Sequence, residues 1–298
     1  MRTSDLIRLV VLAAIWGSSY IFIRILAPAI GPMLTVETRV ALAGVVILVY
    51  CAAMGLKIEW RRFGKHYVAI GMVNTAIPFM LYAFAALYLP ASYSVILNSS
   101  APMFGALFAA AWLGERLTVR RVIAMLVGIG GVAFVAHAGP VKVTSMVALA
   151  IVACLLAGAC YGLAGVYTKK YLNAAPPQAI AGTSHLAAAV VCAIPALVAR
   201  PAVVWTPHII VSALALALMC SAVAYLMYFR LIAEAGPTKA LTVTFLMPAF
   251  GMLWGALFLR ETITPAMVLG CALILIGTAD TVGLVPVKKR VATVMGGQ

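Results

Sequence analysis

Ten runs of about 20 apolar residues follow one another along this chain, with only short polar connections between them. A hydrocarbon core about 30 Å thick takes roughly 20 residues of helix to cross. The spacing therefore predicts ten spans, near residues 6–27, 33–54, 66–88, 93–113, 120–136, 146–167, 178–198, 208–232, 240–259 and 266–285. Strands of a membrane barrel alternate in polarity and run only about ten residues, which excludes that fold. Composition points the same way: 65% of the residues are apolar and 9% are charged, against roughly 25% charged in a soluble protein. A chain so poor in charge cannot cover a surface in water, so the lipid bilayer is its solvent.

The 21 lysines and arginines outnumber seven acidic residues, for a net charge of +14. In a soluble domain such an excess would suggest nucleic acid, but there the basic groups share one folded polar face. Here they sit mostly in short loops, so no nucleic-acid partner is expected. Fifteen of them fall on the side of the N-terminus, including the short basic tail 288–298. Only Lys142, Arg200 and Arg260 fall on the other. By the positive-inside rule both termini are cytoplasmic, which requires an even number of spans.

The chain is also built twice. Residues 82–118 laid without a gap over 228–264 give nine identities in 37 positions, an offset of 146 residues. Pro102, Phe104, Gly105, Glu115 and Thr118 match Pro248, Phe250, Gly251, Glu261 and Thr264. The halves divide as 1–141 and 142–287. Five spans per half force the copies to insert upside down relative to each other. The expected fold is an all-α integral membrane protein with ten transmembrane helices in two inverted five-helix repeats. Secondary transporters use this plan, with the substrate site where the repeats meet.

Candidate site residues follow from depth and chemistry. Pro102 and Pro248 stand at the middle of the fourth and ninth spans, where each leaves a backbone carbonyl without its helical partner, that of Asn98 or Thr244. Such a group needs a polar partner or water, and Asn98, Ser99 and Thr244 lie beside it. The two prolines are therefore expected to be hinges at a central cavity. Asn74, Tyr82, Trp16, Tyr161 and Tyr228 are expected to line it, whereas Tyr20, Tyr88 and Tyr167 read as interfacial anchors or packing. Charged or titratable groups inside a bilayer are costly and read as functional. Glu37, Arg39 and His185 are the candidates for coupling or for holding a charge, and Arg39 and His185 are one repeat apart. Glu115 and Glu261 read as turn signatures ahead of capping threonines, with gating as the other reading.

Six cysteines lie inside apolar runs without ligand spacing, so neither disulfides nor a metal site is expected. No HExxH, GxSxG or carboxylate pair at one depth is present, so no catalytic residues, cofactor or enzyme activity is expected.

Trp16-Gly17-Ser18-Ser19, Arg39, Leu113-Gly114-Glu115-Arg116-Leu117-Thr118 and Glu261-Thr262-Ile263-Thr264 together resemble the EamA family of the drug/metabolite transporter superfamily. The resemblance spans 6–285. It implies an inner-membrane exporter of small metabolites, such as amino acids or amphipathic compounds, with a cavity formed by the first, third, fourth, sixth, eighth and ninth helices. An importer of the same fold, or a membrane sensor or scaffold, is the alternative. The second copy departs from the pattern at Arg260, where the first has Gly114.

Overall fold

The computed structural model describes residues 2–138, 141–199, 203–240 and 242–282. The basic tail 288–298 and Arg200 lie outside the described residues. Among the described residues all regular structure is helical. Eight helices are long and apolar enough to span a membrane: α1 (Thr3–Ile30), α2 (Pro32–Ala53), α3 (Trp60–Ala85), α4 (Ala91–Leu113), α5 (Val119–His137), α6 (Ser145–Tyr171), α7 (Pro177–Ala199) and α8 (Pro207–Ala235). The ninth and tenth spans are shorter, α9 (Val243–Leu259) and α10 (Pro265–Thr281), and a short helix at Pro237–Ala240 precedes α9. The chain is a multi-pass membrane protein with the ten-helix inverted-repeat architecture. We call the side that carries Thr3 the near side and its opposite the far side.

Local chemistry sets the helix ends. Thr144, Thr206 and Thr264 accept hydrogen bonds from the N–H groups of Val147, Ile209 and Met267, 3.2–3.3 Å away. Each such cap stabilises its helix by about 1 kcal/mol. Gly114 ends α4 with φ 71° and Arg260 ends α9 with φ 55°. The matched turns thus share a left-handed residue, which glycine adopts freely and arginine only at a cost of about 1–2 kcal/mol.

Helices α2 and α7 pack together, as do α5 and α10, and these pairs flank the centre. In the middle, α1 packs on α9 and α6 on α4 through matched glycine crossings. A Cβ at Gly17 would lie 3.0 Å from the Gly251 nitrogen, and one at Gly162 would run into the Gly105 nitrogen. Gly105 and Gly251 are one repeat apart. Without a hydrophobic drive between helices in lipid, small residues that admit close backbone contact hold such crossings together.

The buried core is uneven across the bilayer. On the far side one continuous cluster draws on all ten helices, from Ile21 and Leu26 through Leu89, Val95, Val135 and Ile151 to Met247 and Ile274. On the near side the core divides into three clusters, one of which ties α2 and α7 to α8 through Ile47, Cys51, Ala181 and Ala222. Leu9, Leu12, Ala224, Leu231 and Val243 tie α1, α8 and α9 into one bundle. Phe63, Tyr67, Ile70 and Ala164 tie α3 to α6, on which α4 also packs.

Candidate functional site

Three helices depart from regular α geometry at the middle of the bundle. In α3 a π-helical stretch runs Gly71–Ala76, and in α8 another runs Ala215–Val223. With the 146-residue offset the two overlap. π-bulges are rare and recur at functional sites, because the widened turn re-aims side chains and frees backbone groups. The third departure is in α4, which breaks at Ser99–Ser100.

The break in α4 lies just ahead of Pro102, which then occupies the first turn of the resumed helix. A proline is tolerated there because its missing N–H has no helical acceptor to meet. Pro248 behaves differently: it stays inside the continuous helix α9. The two prolines therefore do not form an equivalent pair of breaks.

Around these irregular turns stands an aromatic and polar cluster. The Tyr82 hydroxyl donates to Asn98 Oδ1 at 2.7 Å. The Tyr82 ring meets Tyr20 edge-on at 5.4 Å between centroids and stacks against Tyr161 at 6.3 Å. Trp16 lies 5.1 Å from Tyr228 and 6.0 Å from Tyr225. Asn74 lies beside Tyr225, close enough to act on its hydroxyl. Edge-on and offset ring pairs are the favoured aromatic geometries, so these rings hold one another; Tyr20 and Tyr82 are buried among them, and Trp16, Tyr161, Tyr225 and Tyr228 are partly exposed.

Arg39 enters this cluster from α2. Its side chain is only 7% exposed, its Nε donates to Ser221 Oγ at 2.9 Å, and its guanidinium carbon lies 3.7 Å from the centre of the Phe79 ring. Tyr20, Tyr161, Tyr225 and Cys220 all lie within reach of its charge. Among the described residues no carboxylate pairs with it, and the two Nη groups have no hydrogen-bond acceptor. His185, one repeat from Arg39, is fully buried against Phe79 and Tyr225, which are themselves one repeat apart. Its Nδ1 bonds the Ala181 carbonyl at 2.9 Å, while Nε2 has no partner. Ser221 corresponds to Thr75, whose buried hydroxyl is likewise unpartnered.

The structure thus brings Trp16, Asn74, Tyr82, Asn98, Tyr161, Tyr228, Arg39 and His185 to the centre. It does not bring Ser99 there: that hydroxyl bonds the Val95 carbonyl, and the Ser99 carbonyl accepts from Thr278 on α10. Glu37 is half-buried in the first turns of α2, with one carboxylate oxygen unpartnered. Thr244 is half-buried in the first turn of α9. Of the two readings given for Tyr20, anchor or packing, the structure has the second: it is 6% exposed and packs inside the cluster. Its position beside Trp16-Gly17-Ser18-Ser19 was the available signal. Tyr88 is exposed, and Tyr167 shares a 2.7 Å hydrogen bond with His66.

Polar links between the two central bundles are distributed unevenly. On the far side Arg24 of α1 donates to the Ala86 carbonyl after α3, and Glu261, after α9, binds the start of α4. On the near side the described links stay within one bundle. Arg8 pairs with Glu234 between α1 and α8, and Lys169 pairs with Glu115 between α6 and the end of α4, at 3.1 Å.

The EamA-like transporter family model matches residues 5–136 and again 148–282. An uncharacterized transporter, YvbV of Bacillus subtilis, is 23% identical over 275 residues, 92% of this chain and 90% of its own. Protein PecM of Dickeya dadantii is 24% identical over 87% of this chain and 86% of its own. A probable terminal-alkyne amino-acid exporter of Streptantibioticus cattleyicolor is 26% identical over 47% of each chain. A solved crystal structure at 19% identity superposes with a TM-score of 0.68, covering 95% of this chain and 98% of the other, and so shares the fold. With both halves matched to the family model, this membrane-embedded transporter of small molecules belongs to the EamA-like transporter family.

Proposed function

We propose that this protein exports a small amphipathic carboxylate, of the size and kind of an amino acid, across the inner membrane by alternating access. Both termini lie in the cytoplasm in this reading, so the near side is cytoplasmic and the state described here takes cargo from within. The observation that carries the proposal is the uneven core: continuous on the far side and broken into separate clusters on the near side, with α1, α8 and α9 in one and α3 and α6 in another, and the aromatic cluster at the junction. Two bundles hinged at mid-depth, with discontinuous helices at the junction, are what rocking around a fixed site requires.

Arg39 defines the cargo's charge. A cationic side chain at the centre of a membrane helix costs about 2.5–3.5 kcal/mol on insertion scales. Its contact with Phe79 recovers about 2 kcal/mol when desolvated. That leaves the Nη donors, whose planar fork fits a carboxylate in two parallel hydrogen bonds. Trp16, Tyr82, Tyr161 and Tyr228 would face the apolar part of the cargo, and Asn98 its remaining polar groups. The amino-acid exporter among the relatives supports the class. Glu37 and His185 each keep an unpartnered polar atom inside the bundle, the placement that a proton-coupled step requires.

Purified protein in liposomes should carry at least one member of a panel of radiolabelled amino acids and aryl carboxylates faster than empty liposomes. Matched amides and amphipathic cations should not be carried. Flux of cations alone, or of nothing in the panel, contradicts the proposal.

A further inference from the structure

At its near end the bundle of α1, α8 and α9 holds a second polar site, apart from the centre. Arg2 and Asp5 at the start of α1, Glu234 and Ala235 at the end of α8, and Lys239 ahead of α9 line an open cavity of about 560 Å³. Leu9, Leu12 and Leu231, in the next turns of α1 and α8, are buried between this cavity and the Trp16 and Tyr228 rings. Asp5 is the informative residue. It is only 2% exposed, although it stands in the first turn of α1. One of its oxygens accepts from the Arg2 N–H at 3.0 Å, and the other has no hydrogen-bond partner. Arg8 comes only to 3.7 Å of that second oxygen, because its guanidinium is committed to Glu234. A buried carboxylate oxygen without a donor is costly, so a ligand that brings a donor into the cavity is favoured. Glu234 offers no such opening, since Arg8 and Arg230 take both of its oxygens. Arg2 and Lys239 are exposed, and among the described residues neither belongs to an ion pair.

We propose that this cavity binds a zwitterion made of a primary ammonium and a phosphate, the chemistry of phosphoethanolamine, whether free or as the headgroup of a phospholipid. The ammonium, with three donors and no acceptor, meets the unpartnered Asp5 oxygen. The phosphate takes Arg2 and Lys239, because its several oxygens accept from both cations. Neither end fits alone. A simple anion leaves the Asp5 oxygen unmet. A simple cation enters a cluster in which Arg2, Arg8, Arg230 and Lys239 outnumber Asp5 and Glu234. The volume also suits a small ligand, since such sites run to about 300–1,000 Å³. A bound zwitterion joins the first turn of α1 to the segment ahead of α9. It thereby braces the near end of the bundle, where Arg8 and Glu234 already tie α1 to α8. A phospholipid is within reach as a source, because Leu6, Ile7 and Val10 in the same turns of α1 are exposed apolar residues.

Isothermal titration with glycerophosphoethanolamine tests the site, on the full-length protein in nanodiscs of phosphatidylglycerol alone. Binding at a single site is expected. Glycerol phosphate, which lacks the ammonium, and ethanolamine, which lacks the phosphate, should each bind about tenfold more weakly, the order expected for one hydrogen bond to a charged group. Asp5→Asn and Lys239→Gln should each weaken glycerophosphoethanolamine by about the same factor. Lys239→Gln changes an exposed side chain, so it reports even where Asp5→Asn does not fold. Arg39→Gln should leave the affinity unchanged, because the central cluster takes no part. Adding phosphatidylethanolamine to the nanodiscs reads the source. A fall in apparent affinity shows the lipid headgroup filling the site, and an unchanged affinity assigns it to the soluble zwitterion. Four results overturn the proposal: no binding, glycerol phosphate bound as tightly as glycerophosphoethanolamine, undiminished affinity in either folded variant, or binding lost with Arg39→Gln.

Discussion

Arg39→Gln is expected to lower kcat/KM for the carried carboxylate about 100-fold, because truncating one partner of a buried charge pair costs about 2–5 kcal/mol. The expectation rests on three features of Arg39. It is nearly enclosed, it has no carboxylate of its own among the described residues, and its Nε is already committed to Ser221. Loss of the guanidinium should also erase discrimination between an acid and its amide, since the amide never used the charge. Arg39→Lys keeps the charge but loses the planar fork and the stacking on Phe79, so it should restore only part of the rate. Flux of each acid and amide pair in liposomes makes the measurement, with thermal unfolding as the check on folding. Should Arg39→Gln still prefer the acid, the anchor lies elsewhere.

Gly162→Leu is expected to remove most of the folded protein. A side chain there meets the Gly105 nitrogen, with the Phe104 carbonyl carbon at 2.8 Å and the Gly105 Cα at 3.0 Å, all of them backbone. Backbone cannot rotate aside, so α4 and α6 must separate along the crossing. Overpacking costs about 1–3 kcal/mol where neighbours can adjust and more where they cannot. Gly165→Leu, on the same helix with nothing within 4 Å of its Cβ, should be neutral. Gly251→Leu should fall between the two, because its nearest neighbour is the Val95 side chain, which can give a little. Monodisperse yield after extraction, compared across the three variants, tests the order. Similar yields for Gly162→Leu and Gly165→Leu would show that the crossing does not hold the bundle.

The scaffold was legible because the bilayer imposes it. Span length follows from hydrocarbon thickness, and the repeat is written in residues such as Gly105 and Gly251, whose backbone nitrogens stand against Gly162 and Gly17. Most of the central residues were legible too, since polar and aromatic groups at mid-depth have few other reasons to be there. What was not legible depends on hydrogen-bond register and on distance. The π-helical turns in α3 and α8 arise where the ladder slips, and no residue type encodes that slip. The break in α4 falls at Ser99–Ser100 because a proline fits best in a new first turn, whereas Pro248 is carried inside a helix whose neighbours accommodate it. Tyr20 read equally as an anchor or as packing from its place along the span, and only the helix rotation decides that it turns inward. Arg39 was legible as a charge within a span, but not that it joins the centre from α2, a helix outside the expected lining, with its guanidinium over the Phe79 ring. Glu261 finds its partners 169 and 170 residues away, beyond any local pattern. The third span also begins earlier than expected, at Trp60, because its first turns carry Arg61, Arg62 and Lys65 at the membrane surface.

The central claim is that the two bundles rock about the Arg39 and Tyr82 cluster, opening one side as the other closes. Pulsed spin-label distances test it most directly, with one label pair at Arg116 and Lys239 on the near side and another at Tyr88 and Arg260 on the far side, all exposed positions. On adding a carboxylate that the flux assay finds to be carried, the near pair should shorten while the far pair lengthens. Distances that stay fixed, or that lengthen together, would contradict alternating access in this protein.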